Sequence, residues 1–423
     1  MEKFVTKLKL IFRDPILRNK ILFLLGFLVL FRLLSAIPIP GIDTSSLEQF
    51  FSSNQFLGLI NLFSGGGLSG LSIIMLGVGP YITGSIIMQL LTVMIPRLKE
   101  MYHEEGEAGK KKFSQYSRML TVPLAALQGF AFLTLFQKQG VISALGGFEM
   151  FANIVVIVAG SVLVMWIGEL MTEYAIGNGV SLLIFAGIVA GLPSAVSQLL
   201  FTFEPSQIPL YLGFLVAAVL ITLGIVVITE AERPVPITYA KRVRGSKVYG
   251  GISTYLPLRI NQAGVMPIIF ALSILLFPQM IFNFLANVSN ATFQSISSFV
   301  LGILNNGWFY SIFYFLLVFV FTYFYTAITF DPHAISKNLQ HNGAFIPGVR
   351  PGQSTADHIA KTVTRITFVG ASFLGIVAVL PIVMQSITGI QALAIGGTSL
   401  LIVVSVLIDL VKRIDAQVAM REY

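Results

Sequence analysis

The chain has 423 residues, of which 55% are hydrophobic and only 11% charged, whereas a soluble globular chain carries about 25% charged residues. Apolar runs of about 20 residues follow one another, the pattern of a helical protein that crosses a bilayer many times, and this excludes a soluble domain. The net charge of +8 sits almost wholly between the runs. The absence of cysteine excludes disulfides, thiolate metal sites and cysteine nucleophiles.

In chain order, the first run, 21–37, leads into Pro38 and Pro40 rather than into a small-residue cleavage site, so it reads as a retained span. The next uncharged stretch runs from Glu48 to Arg97. As one helix it would measure about 70 Å, more than twice the roughly 30 Å of a hydrocarbon core. It is also broken by Gly65, Gly66, Gly67 and Gly70. Further runs lie near 76–95, 119–137, 152–172, 180–201, 209–229, 262–282, 308–328, 366–386 and 389–410, which makes ten spans.

The connections give the topology. Of the 27 basic residues, 25 fall in the N-terminus, in three alternate connections and in the C-terminal tail; only Arg32 and Lys138 lie elsewhere. The positive-inside rule then puts both termini and those connections in the cytoplasm. The short connection Glu173–Gly179, which has no Lys or Arg, is cytoplasmic by parity. Between the first span and the basic loop Arg97–Arg118 the chain must cross once, net. The long uncharged stretch therefore holds one span, about Leu76–Ile95, and a piece, about Leu59–Leu71, that dips in and returns. Broken backbone at membrane depth needs protein or a water-filled cavity around it. Because five is odd, two sets of five spans start on opposite sides, the geometry of an inverted repeat.

The spans hold few ionisable groups: Arg32, Glu169, Glu230 and Asp409, all toward span ends, where snorkelling to an interface is the expected role. An ion-coupled transporter would want a charge near the midplane, and an intramembrane hydrolase a catalytic pair at mid-span. Neither is present. The four histidines, His103, His333, His341 and His358, lie in polar connections, and no phosphate-cradling glycine loop with a lysine occurs. No cofactor, metal or catalytic residue is expected. A conduit driven from elsewhere remains, with a solute transporter built on inverted repeats as the alternative.

Several segments carry a family resemblance: "FSGGGLSGLSIIMLGVGPYITGSIIMQLL", "EGEAGKKKFSQYSR", "AIGNGVSLLIFAGIVAGLP", "ITYAKRVRG", "STYLPLRINQAGVMPIIFA", "FYTAITFDP", "GAFIPGVRPG" and "GGTSLLIVV". They resemble the bacterial SecY family, channel subunits of the protein translocase, from the first span to the last. The resemblance implies an all-α polytopic membrane protein with ten transmembrane helices in two inverted five-helix halves and a re-entrant plug helix. The halves would be 1–205, with the plug near 59–71, and 206–423, with cytoplasmic loops near 230–260 and 329–362. It implies passage of unfolded secretory polypeptides across the cytoplasmic membrane and lateral release of membrane segments into lipid.

Carried over residue by residue, the resemblance puts a plug on Phe63, Ser64, Gly65, Gly66, Gly67 and Leu68. It puts a pore ring on Val78, Ile82, Val180, Ile184, Ile269 and Ile402. The pairs 78/82 and 180/184 are four apart, so each pair shares a helix face. A collar of branched aliphatics excludes hydrated ions by dewetting yet yields to a peptide. Thr83, Gln89, Asn261, Gln262 and Thr398 fit a lateral gate, where polar residues would bond reversibly across a helix seam.

Two loops suit docking. "YAKRVRGSKVYG" reads as an exposed hairpin-like protrusion carrying Lys241, Arg242, Arg244 and Lys247. "GAFIPGVRPG" presents Arg350 between two Pro–Gly turns. The family uses such loops to bind the SecA motor ATPase and the ribosome, whose RNA phosphates basic tips would meet. It also implies SecE clamping the halves, SecG beside them, and nascent chains, signal sequences and membrane lipids as further partners. One departure bears on these contacts: many members continue with a second Arg after Arg233, where this chain has Pro234.

Overall fold

Asp14 opens the first helix by accepting a 2.9 Å hydrogen bond from the Ile16 amide, with Pro15 at the first helical position. That helix, α1 (Pro15–Ser35), covers the first apolar run. The computed structural model describes residues 14–40, 61, 64–68, 70–103, 105–138, 140, 142–143, 145–201, 208–239, 242–244, 247–249, 253–285, 290–304, 306–388 and 391–419.

The chain leaving α1 is met by the chain returning from the glycine-rich stretch. Pro38 and Ser72 form an antiparallel bridge. Around it the Ile39 amide donates to the Leu71 carbonyl at 2.8 Å, and the Ile73 amide to the Ile37 carbonyl at 2.9 Å. Residues 70–78 then run as successive turns into α2 (Gly79–Met94). Ile95 is extended, at φ −115° and ψ 107°, as the residue before a proline prefers. The chain therefore turns by 115° into α3 (Pro96–His103).

There follow α4 (Gly106–Lys138), α5 (Gly147–Tyr174), α6 (Gly179–Phe201) and α7 (Ile208–Glu230). After a strand region come α8 (Met266–Leu285), α9 (Ala291–Leu304), α10 (Gly307–Thr329), α11 (Pro332–His341), α12 (Gln353–Thr388) and α13 (Gln391–Ala419). Each of the ten apolar runs falls on one of these helices, while α3, α9 and α11 are additional. Among the described residues four helical stretches are long and apolar enough to cross a bilayer unaided: Gly106–Lys138, Gly147–Tyr174, Gly307–His341 and Gln353–Leu380. The bent pair α2 and α3 would make a fifth. α4 and α12 begin about a dozen residues before their apolar runs, because Glu, Lys, Gln and Ala there are good helix formers.

The connection after α7 folds as sheet. β1 (Glu232–Tyr239) pairs antiparallel with β4 (Ser253–Arg259), and its end pairs with β5 (Ala344–Phe345), tying the two long polar connections together. Pro234 lies opposite Pro257, and Pro236 opposite Tyr255. The three prolines thus share one parity of the ladder. In an antiparallel pair that parity can be the one whose amides make no cross-strand bond, so their missing N–H groups cost nothing.

The other parity of β1 turns Val235 and Ile237 inward. Val235 and Leu258 pack with Ile346, Ile359, Val363 and Ile366 into a small apolar core separate from the helix bundle. Ile359 is fully buried. Ile359→Ala should cost about 2–5 kcal/mol locally and speed amide exchange in β1, β4 and the first turns of α12, which carries it, with the other helices of the bundle unaffected.

Candidate functional site

Two larger apolar clusters hold the bundle together. One gathers Val78, Ile82, Ile184, Ile269 and Ile402 with neighbours from α1, α5, α7, α10 and α12, and Val180 packs against it. The six residues named for a pore ring thus come from α2 and the residue before it, α6, α8 and α13, and all belong to or pack against this one cluster. Ile184, Ile269 and Ile402 are at most 2% exposed. Side chains that faced lipid would be open in the isolated chain, as Leu215 and Leu220 of α7 are.

A cavity of about 410 Å³ reaches this region from the end of the bundle that carries the basic connections. Ile82, Val180, Ile184 and Ile269 line it, together with Gln89, Arg118 and Glu169. A second cavity of about 280 Å³ shares Asn178, Ser181 and Met266 with the first and extends past Asn261 and Gln262 to Arg259 and Arg413.

The glycine turn packs against α6 and α1. The Gly66 amide donates to the Asn61 carbonyl at 2.8 Å, and the Leu68 amide to Ser64 Oγ at 3.0 Å. Gly65 and Gly66 sit at φ +73° and +83°, a region that L side chains rarely adopt. Gly65 also touches Gly187 of α6 so closely that a Cβ on Gly187 would collide with the Gly65 backbone, and a Cβ on Gly65 with the Phe31 ring. Gly187 lies about one turn beyond Ile184, so the glycine turn is seated just past Ile184 on the same helix. Arg32 Nη1 donates to the Gly65 carbonyl at 3.4 Å and to Ser35 Oγ at 3.5 Å. Leu68 and Leu71 are buried in the second large cluster, with Phe132, Leu133 and Ile157. Phe63 lies outside the described residues, as does most of 59–63, where a plug helix is expected. Of the expected plug helix, residue 61 is helical and 64–68 and 70–71 are turn, as two successive positive-φ glycines require.

The polar residues named for a gate behave locally. Thr83 Oγ1 donates to the Gly79 carbonyl of its own helix at 3.0 Å, and Gln89 Nε2 to Ser85 Oγ at 3.5 Å. Asn261 Nδ2 donates to the Gly264 carbonyl at 3.2 Å. These bonds stay within one segment instead of crossing between α2 and α8, which are in contact. Gln89 Oε1 and Asn261 Oδ1 are buried with no hydrogen-bond partner among the described residues. Thr398 falls on α13, and its side chain lies outside the described residues.

The charged residues at span ends are paired rather than simply reaching for water. Arg118 Nε meets Glu169 Oε1 at 2.6 Å and joins α4 to α5. Lys412 Nζ meets Glu230 Oε1 at 3.0 Å and joins α13 to α7. Asp409 pairs with Arg413 one turn on, at 2.8 Å. At these exposures each pair is worth about 1 kcal/mol or less. Nothing local in the sequence marks the first two pairs, because each partner lies on a separate helix. Gly187 is likewise a glycine in mid-run, with a second four residues on.

Of the docking residues, Arg242 and Arg244 lie on β2 (Arg242–Arg244) and Lys247 on β3 (Lys247–Tyr249), a two-stranded hairpin with Arg244 opposite Lys247. Lys241 is outside the described residues. Arg350 is exposed in a turn that its own carbonyl helps to fix by accepting from Thr355 Oγ1 at 2.8 Å.

Comparison with known proteins agrees with this geometry. The SecY family model matches residues 72–411. Protein translocase subunit SecY of Mycobacterium tuberculosis is 40% identical over 428 residues, covering 96% of each chain. That of Thermus thermophilus is 41% identical over 419 residues, covering 97% of this chain and 94% of its own. The chain belongs to the SecY family. Among solved structures, a protein-conducting channel superposes with a TM-score of 0.65 at 17% identity, covering 93% of this chain and 91% of its own. Sec61 in a canine ribosome–channel complex from the endoplasmic reticulum superposes at 0.59 and 15% identity, covering 93% and 91%. At such identities these two speak for the fold alone. The chain is a mostly helical, multi-pass membrane protein of that fold.

Proposed function

We propose that this chain is the protein-conducting subunit of a Sec-type translocase, passing unfolded secretory polypeptides across the cytoplasmic membrane and releasing apolar segments sideways into lipid. The observation that supports it most is the gathering, in one apolar cluster, of six branched aliphatic side chains from four segments of the chain, four of which line a cavity while a glycine turn packs one helical turn past Ile184. In this reading Val78, Ile82, Val180, Ile184, Ile269 and Ile402 form the closed constriction, and the turn at 64–68 is the plug. The ten helices that carry the apolar runs are the spans, grouped as inverted halves 1–205 and 206–423. Both termini and the sheet-forming connections face the cytoplasm, where the basic residues would be retained. Gln89 and Asn261, buried with one oxygen each unpartnered, suit a seam that must part between α2 and α8.

Lys241, the hairpin residues Arg242, Arg244 and Lys247, and Arg350 would receive a SecA-type motor or a ribosome. SecE- and SecG-like subunits would flank the bundle. The designation of the relatives as a translocase subunit supports companion subunits and a driving partner. A solute transporter is disfavoured because no charged residue lies near the middle of a span.

The test is reconstitution. Vesicles holding the chain with its companion subunits should, on adding motor and ATP, protect a secretory precursor from external protease. No protection under conditions where the motor binds would contradict the proposal. Arg350→Glu should lower that activity several-fold while leaving folding intact, since an exposed substitution costs within about 0.5 kcal/mol of stability. Unchanged activity at physiological salt would leave Arg350 as a topology determinant alone.

A further inference from the structure

No charged residue occurs between Arg259 and Asp331, a 71-residue interval that holds α8, α9 and α10. α9 is 14 residues long, about 21 Å at 1.5 Å per residue, too short to cross a hydrocarbon core of about 30 Å. It packs against both α8 and α10. At about 100° per residue its side chains divide into three arcs. Ser297 and Leu304 are buried, with Val300 and Leu301 half-buried beside them; this arc faces the protein. To one side lie Ile296, Phe299 and Ile303, with Thr292 among them, all exposed, Phe299 at 70%; Phe293, also exposed, adjoins them at the N-terminal end of the first arc. To the other lie Gln294, Ser295, Ser298 and Gly302, also exposed.

A helix wholly in water would not show large apolar side chains on one exposed arc, and a helix wholly in lipid would not show a polar one. Three arcs fit a helix lying in a membrane surface, with protein beside it, acyl chains beneath and water above. Continuity with α10 argues for lipid rather than another protein as the cover. Immediately after α9 comes Trp308, 76% exposed, a residue type that prefers the headgroup level. The exposed Ile312, Leu316 and Val320 then continue down α10.

We propose that α9 lies in the polar–apolar boundary of the outer leaflet and anchors α8 and α10 there by its Ile296–Phe299–Ile303 face, with Phe293 adjoining. The proposal rests on the channel reading only in that α8 and α10 cross the bilayer. A channel could conduct polypeptides with α9 clear of the lipid, so the two can fail separately.

Because the chain has no cysteine, single-cysteine variants need no background substitution. Phe299→Cys, Ile296→Cys and Ser298→Cys would be spin-labelled in the full chain, purified with its companion subunits into phosphatidylethanolamine–phosphatidylglycerol vesicles. Collision with oxygen should exceed collision with a water-soluble nickel chelate at Phe299→Cys and Ile296→Cys, and the order should reverse at Ser298→Cys. Nickel dominating at all three would put α9 in water. Shielding from both reagents at Phe299→Cys and Ile296→Cys would mean that protein covers the face. Either result overturns the proposal. As a check free of labels on α9, Trp166→Phe leaves Trp308 as the sole indole, and brominated lipid should quench its fluorescence strongly. Quenching by aqueous iodide alone would count against the anchor.

Discussion

Replacing Ile402 or Ile82 with serine should raise the ion conductance of the resting channel by about tenfold to a hundredfold. Each substitution removes roughly 2–3 kcal/mol of apolar transfer free energy from the constriction. If most of that falls on the barrier that keeps water and ions out, the rate changes by about tenfold for every 1.4 kcal/mol. Both side chains are buried among aliphatic neighbours from other helices, so a hydroxyl there would offer water a hydrogen-bonding partner within the constriction. Leucine at the same positions should be nearly silent, costing under about 1.5 kcal/mol, because volume and polarity are kept. Planar-bilayer recordings of the closed channel are the measurement. Serine variants that stay ion-tight would refute dewetting as the seal. A leak from the leucine variants equal to that from serine would mean that shape, not apolarity, closes the constriction.

The second large effect should come from Gly187→Leu. A Cβ there would run into the Gly65 backbone, and no side-chain rotation can relieve a clash with main chain. The turn must leave its seat, at about 1–3 kcal/mol by analogy with overpacked cores, which shifts the seated state's population by roughly fivefold to more than a hundredfold. The channel should then leak at rest while still translocating. Gly191→Leu is the matched control. It lies one turn further on the same helix, and a Cβ there meets nothing within 4 Å, so it should be tight. Deleting 59–70 should reproduce the leak of Gly187→Leu. If Gly187→Leu and Gly191→Leu conduct alike, the contact between Gly65 and Gly187 does not hold the plug.

Much of this was legible in the sequence because membrane proteins write their plan in charge and length. The ten apolar runs all fall on helices, since in lipid a spanning backbone must satisfy its own hydrogen bonds. The basic connections point to a topology, and the run too long for one span points to a piece that dips in and returns. What could not be read was contact between distant positions. Gly187 looks like any glycine in an apolar run until Gly65 is brought against it. Glu169 and Glu230 read as single charges seeking water, because their partners Arg118 and Lys412 lie on other helices. α9 was missed because 14 residues with several serines fail every length test for a span. The sheet was half visible: the hairpin turn shows in the sequence, but the pairing of β1 with β5 joins segments about a hundred residues apart. The gate residues show the reverse limit. Their polarity was noticed, yet Thr83 and Gln89 bond within α2 and do not reach across the seam.

The central claim is that a polypeptide passes through the collar. A secretory precursor carrying a stably folded C-terminal domain would be stalled part-way, in vesicles holding the chain, its companions, motor and ATP. A photo-crosslinking amino acid would stand in turn at Ile82, Ile184, Ile269 and Ile402, and at Leu215 and Leu220 on the exposed face of α7. The account predicts strong adducts to the stalled precursor from all four collar positions and background levels from the two on α7. Adducts no stronger at the collar than at Leu215 and Leu220 would mean that the polypeptide takes another route.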